Sequence, residues 1–152
     1  MSSSVVICIA IASSLGLIGL GGGLYEFLVI DPVWPRRPDI IQPHRGGISR
    51  KNFWIPAHTA FELTLIVALV MAWSPLTVRF WLLVALISHA VMRVWSLVDF
   101  VPKALAFERA DPATVTVSAA RHWTRRSLWR LPLDIVTCAS ILAALLAAVQ
   151  SS

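Results

Sequence analysis

The sequence predicts an all-α protein: an integral membrane, up-down four-helix bundle in which residues 1–152 form a single transmembrane domain. Three observations predict it. The chain is 57% hydrophobic and only 14% charged, more apolar than a soluble domain of 152 residues can hide in one core. Four stretches, at about 5–30, 55–73, 76–99 and 112–149, can each supply the roughly 20 apolar helical residues that cross a hydrocarbon layer of about 30 Å. The basic residues fall almost entirely in two of the connections.

The first helix carries no charge before Glu26, and "MSSSVVICIA" lacks the basic start of a signal peptide, so the segment is expected to be retained. Gly16, Gly19 and Gly23 form a small-residue stripe that lets a neighbouring helix approach closely. "PVWPRRP" then reads as a loop, because its prolines remove backbone donors. The second helix holds a single charge, Glu62, with His58 one turn before it. "SPLT", Ser74 to Thr77, is a tight turn into the third helix, whose charges are Arg79 and Arg93 and which Asp99 closes. Asp111 at an N-cap and Pro112 at the first helical position start the last helix. That helix is expected to extend into the cytoplasm, to enter the bilayer after a kink at Pro132, and to carry only Asp134 in its apolar part. Trp34, Trp54, Trp123 and Trp129 suit the headgroup belt. Cys8 and Cys138 lie in apolar segments and read as buried fillers rather than a disulfide.

Charge sets the expected orientation. Residues 31–54 carry Arg36, Arg37, Arg45, Arg50 and Lys51, and residues 100–130 carry Lys103, Arg109, Arg121, Arg125, Arg126 and Arg130. By the positive-inside rule both connections are cytoplasmic and both termini outside, with a bacterial inner membrane as the expected location. The net charge of +5 then reflects topology and attraction to anionic membrane lipids, and nucleic acid is not an expected partner because no independent basic domain exists.

An up-down bundle gathers most of the intramembrane polar groups at one face. Glu26 leaves helix one; His58 and Glu62, His89 and Arg93, and Arg130 and Asp134 are each four residues apart, a spacing that puts both members on one helical face. Ionisable groups at such depth cost at least about 2.5 kcal/mol each, so they face inward, pair, and mark sites. Three chemistries stay open. Glu26, His58, Glu62 and His89 offer donors for a transition metal, iron or copper; two histidines could hold a haem; or, with no cofactor, a histidine removes a proton while Arg93 stabilises the resulting enolate or phenolate. Tyr25, Trp54, Trp95, Arg130 and Asp134 are candidate substrate contacts. The plainer alternative is structural pairing, with Arg93 neutralised by Glu26 or Glu62 and Arg130 by Asp134. His44 and His122 read as surface residues.

"GGGLYEFLVIDPVWP", "FWIPAHTAFEL", "DFVPKALA" and "HWTRRSLWRLPLDIVTCASILAALL" together resemble the anthrone-oxygenase-like four-helix membrane family over most of the chain. Trp123, Arg126 and Arg130 match the family's approach to helix four, and Pro102 its exit from helix three. The resemblance implies a small bundle and, for some members, oxidation of a reduced polycyclic aromatic to a quinone by dioxygen. "AHTAFE" has histidine and glutamate where many relatives are asparagine-rich, so the chemistry there is free to diverge.

The expected function is therefore that of a membrane-embedded oxidoreductase or oxygenase acting on a lipophilic aromatic or quinol-like molecule. His58 and His89 act as base or ligand, Glu26 and Glu62 as orienter or ligand, and Arg93 as anion stabiliser. The alternative is a non-enzymatic membrane protein: a transporter subunit, a lipid- or quinone-binding module, or an assembly partner. A transport path through the apolar outer half would need a homo-oligomer.

Overall fold

The computed structural model describes residues 1–74 and 76–151; Pro75, in the expected "SPLT" turn, lies outside them. The fold is all-helical, with no strand among the described residues. It comprises α1 (Ser3–Tyr25), α2 (Lys51–Met71), α3 (Leu76–Trp95), α4 (Val101–Arg109), α5 (Val117–Ser127) and α6 (Leu131–Gln150). Wide turns run α1 on to Ile30 and α3 into α4, and a tight turn joins α5 to α6. The result is four continuous helices, Ser3–Ile30, Lys51–Met71, Leu76–Arg109 and Val117–Gln150, each long and apolar enough to cross a membrane.

α1 packs against α2 and α6, and α3 against α6 and α2, which closes a four-helix bundle. Its core combines Ile9, Phe61, Leu65, Leu82 and Ile141 with Ala12, Ala68, Ala85, Ala144 and Ala148. The small residues matter because lipid is as apolar as leucine, so helices associate in it by close packing. Large apolar side chains such as Leu63, Val70, Ile87 and Leu146 face outward, as a lipid solvent requires. The glycine stripe is used selectively: a Cβ at Gly16 would stand 3.1 Å from the Phe61 ring and one at Gly23 3.9 Å from Trp54, whereas one at Gly19 meets nothing within 4 Å; outside the stripe, one at Gly22 would stand only 2.4 Å from Phe53.

The Met1 amine donates to the Ser151 carbonyl, so both termini share one end of the bundle with the α2–α3 turn. Arg79 is held at that end, donating to the Trp73 carbonyl at 3.1 Å and lying 5.0 Å from its ring. All the long connections lie at the other end, where they build a second core from Trp34, Ile41, Phe100, Ala120 and Trp123. Buried Gln42 ties it together, donating to the carbonyls of Phe107 and Ala110 at the end of α4 at 2.9 and 2.8 Å.

Two boundaries differ from expectation. The third helix does not close at Asp99 but continues through a widened turn, Ser96–Phe100, in which the Val101 amide reaches back to the Ser96 carbonyl. Pro102 follows at the start of α4, where its missing donor costs little. The last helix does not begin at Pro112. Asp111 caps only a single turn, accepting from the Ala113 amide, and the helix proper starts after Thr116, whose hydroxyl accepts from the Ala119 amide. The β-branched run Thr114–Val115–Thr116 favours extended backbone and separates the two.

Candidate functional site

One stripe of side chains on α2 organises the polar end of the bundle. Arg50, immediately before the helix, and Trp54, His58 and Glu62 recur every fourth residue and so follow one another along a single face. Together they engage α1, α3 and one another. Arg50 Nη1 and Trp54 Nε1 both donate to Glu26, at 3.3 and 3.0 Å, one to each carboxylate oxygen. The Trp54 indole stacks on the His58 imidazole, with centroids 5.2 Å apart and planes inclined by 21°. Glu62 meets α3, where Arg93 Nε donates to Oε1 at 2.7 Å and His89 Nε2 lies 3.3 Å from the same oxygen.

His58, Glu62 and His89 thus come together, with one donor atom from each within 4.8 Å of the others. The His58 and His89 rings are 5.7 Å apart, and the edge of His89 packs on Phe61 at 4.8 Å. His89 is buried, 5% of its side chain being exposed. Beside the imidazoles lies a cavity of about 30 Å³, lined also by Gly16, Gly19, Trp54, Asp134, Thr137 and Cys138. It is large enough for water or dioxygen and too small for an aromatic ring system.

A second space, of about 460 Å³, opens between the end of α1 and the start of α2. Ile18, Gly21, Gly22, Tyr25, Ile30, Ile48 and Phe53 give it apolar walls, and Glu26 and Arg50 a polar end. This is the size of site that takes a ring-containing molecule. Trp54 borders both spaces.

The other expected site residues divide between these regions and the second core. Glu26 is not brought to the histidines: it is occupied by Arg50 and Trp54, so it does not belong to the donor cluster that the sequence suggests. Tyr25 is 60% exposed on the rim of the groove. Trp95 packs edge-on against Phe100 at 5.5 Å, away from both spaces. Arg130 donates to the hydroxyls of Ser96 and Ser127 and lies 4.5 Å from the Phe100 ring, and no ion pair joins it to Asp134 among the described residues. Asp134 lines the cavity. Asp99 pairs with Lys103 and Arg126, so the residues around Pro102, Trp123 and Arg126 hold α5 on the widened turn. His44 and His122 are exposed, and Cys8 and Cys138 are free thiols.

Arg50 is the site residue that sequence reasoning misses. It bridges Glu26 and Glu108, the latter at 3.6 Å, and lies 5.5 Å from the Trp123 ring. The signal that could find it is its position, which continues the four-residue spacing one step upstream of Trp54. Just past α1, the Trp34 indole donates to Asp31 at 3.0 Å; burial pushes the Asp31 carboxyl up to about 6, against the lowering effect of that hydrogen bond. Comparison with protein-family models, curated proteins and solved structures returned no match.

Proposed function

We propose that this membrane protein is an oxidoreductase of the oxidase or oxygenase type that receives a lipophilic aromatic or quinol-like molecule in the groove between α1 and α2. The observation that carries the reading is Trp54: one residue lines both a groove of ring size and a cavity of dioxygen size that is lined by two histidines. A molecule lying against Phe53 and Trp54 would present a hydroxyl to Glu26, whose oxygens each accept only one recorded bond and so have capacity left. Arg50 would stabilise the oxyanion formed when Glu26 takes the proton, in a setting where such charge is costly. Oxidation of a quinol to a quinone releases two electrons and two protons, which dioxygen accepts to give peroxide. The anion-stabilising role falls to Arg50 rather than Arg93, because Arg50 lines the groove and Arg93 lines neither space. The resemblance to anthrone-oxygenase-like proteins supports dioxygen-dependent oxidation of a lipophilic aromatic, whether the oxygen is reduced to peroxide or enters the product. The basic connections support a cytoplasmic placement of the groove's polar end, with both termini outside.

Oxygen uptake by protein reconstituted in lipid nanodiscs, with a naphthoquinol in the bilayer, tests this. Uptake is expected to depend on the protein and to fall at least about tenfold in Gly21→Leu, which enters the groove from a position where an added Cβ meets nothing within 4 Å. Uptake equal to that of empty nanodiscs, or unchanged in a folded Gly21→Leu variant, would remove the proposal. One observation favours a non-enzymatic binding or assembly module instead: Glu62 and Arg93 neutralise one another at 2.7 Å, which gives the buried charges a structural role. A proton-coupled transporter has less support, since among the described residues Arg79 is the one charged side chain in the far half of the bundle. Proton-coupled uptake by sealed vesicles would displace the enzyme reading.

A further inference from the structure

We propose that His58, Glu62 and His89 form a mononuclear transition-metal site. It deepens the reading above, on which only its catalytic consequence rests; the site itself stands on geometry. Two imidazoles and one carboxylate from two helices place their donor atoms within 4.8 Å of one another. Metal–ligand bonds of about 2.0–2.2 Å put neighbouring donors roughly 3–3.5 Å apart, so the three must close by under about 2 Å. Rotation about side-chain torsions supplies that without moving α2 or α3, because Glu62 is part-exposed and the His58 ring, in contact with Trp54 and His89, makes no hydrogen bond among the described residues.

The surroundings fit a metal in three further ways. Arg93 occupies Oε1 of Glu62, so the carboxylate is oriented with Oε2 left for a metal, as ligands in metal sites are commonly oriented by a hydrogen-bonded neighbour. The adjoining cavity of about 30 Å³ provides room for water or dioxygen in the open coordination positions. Asp134 borders the same cavity with no hydrogen bond or ion pair recorded among the described residues, placing an oxygen acceptor where a metal-bound water would need one. Two histidines and one carboxylate with open positions is the donor set that suits ferrous iron in oxygen chemistry. A haem is a poor fit, since the space beside the imidazoles, about 30 Å³, has no room for a macrocycle.

The test is metal binding, read apart from turnover. Detergent-solubilised protein is stripped with chelator, loaded with Fe(II) under argon, freed of excess metal, and its iron per chain measured. One equivalent is expected, with affinity lowered by more than about tenfold in His58→Ala and in His89→Ala, since even loss of a ligand's hydrogen-bond partner costs that much. In parallel, Co(II) is added to His58→Cys, where a thiolate–cobalt absorption band absent from the wild type is expected if this position is a ligand. Substoichiometric iron in the wild type, unchanged binding in folded alanine variants, or the absence of that band in a His58→Cys protein that retains cobalt would overturn the proposal. One equivalent of iron without quinol-dependent oxygen uptake would instead leave the site standing and remove the oxidoreductase reading.

Discussion

Glu62 sits about 16 Å along α2 from Lys51, at 1.5 Å per residue, where an ionised side chain in hydrocarbon costs about 2.5–3.5 kcal/mol. It is tolerated because Arg93 Nε lies 2.7 Å away, and the reverse holds for Arg93. The two are therefore expected to be strongly non-additive. Glu62→Leu or Arg93→Leu alone should destabilise the bundle by about 2–3 kcal/mol, and the double variant by clearly less than their sum. Reversible unfolding in mixed micelles measures this cycle; additive costs would mean that the pair is not a pair in the membrane. Asp31 makes a different prediction. Its folded-state pKa of about 6 lies above the usual 3.8, so the folded state disfavours its charged form. Its stabilising contribution is full below pH 3.8 and is lost as the pH rises to about 6. Asp31→Asn should remove that slope, which thermal unfolding from about pH 4 to about pH 7 would reveal as a flatter profile; an unaltered profile would show that Asp31 is not the group responsible.

At the scale of the element, the widened turns at Glu26–Ile30 and Ser96–Phe100 do the positioning. Each accommodates one residue more than a regular turn, which rotates every later side chain by about 100° around the helix axis. Upstream of the second turn, α3 directs His89 into the bundle; at the end of the turn, Phe100 is directed into the second core against Trp95 and Trp123. Deletion of Leu97 should restore a regular turn and swing Phe100 out of that core. The four spans remain apolar, so the protein is still expected to resist carbonate extraction while protease cuts the 110–116 connection faster. Unchanged cleavage would show that the turn does not set the packing of α5.

For the molecule as a whole, the four spans are legible in the sequence because apolar length suffices to identify them, and the His58–Glu62 pair because spacing on one helix is local information. That His89 and Arg93 close on Glu62 follows from bundle packing, which spacing alone does not carry. Glu26 has partners other than the expected ones because Arg50, which reads as a topological charge in a loop, is the first member of the α2 stripe. Trp54, which reads as a belt residue, borders both groove and cavity. The second core is invisible in the sequence for a physical reason: Trp34, Ile41, Gln42 and Phe100 come from short turns and a widened helix, where no period of 3.6 marks the buried side.

The donors and the enclosure come from different regions of the chain. His58, Glu62 and His89 all belong to one hairpin, α2 and α3, whereas Asp134, Thr137 and Cys138, which wall the cavity, belong to α6. A ribosome delivers the hairpin first. During synthesis there is accordingly an interval in which all three donors and the α1 side of the cavity exist and the α6 side does not, and a solute entering then does not cross α6. Once α6 docks, its side chains stand across that route, so the order of translation divides an early, open period of loading from a late, guarded one.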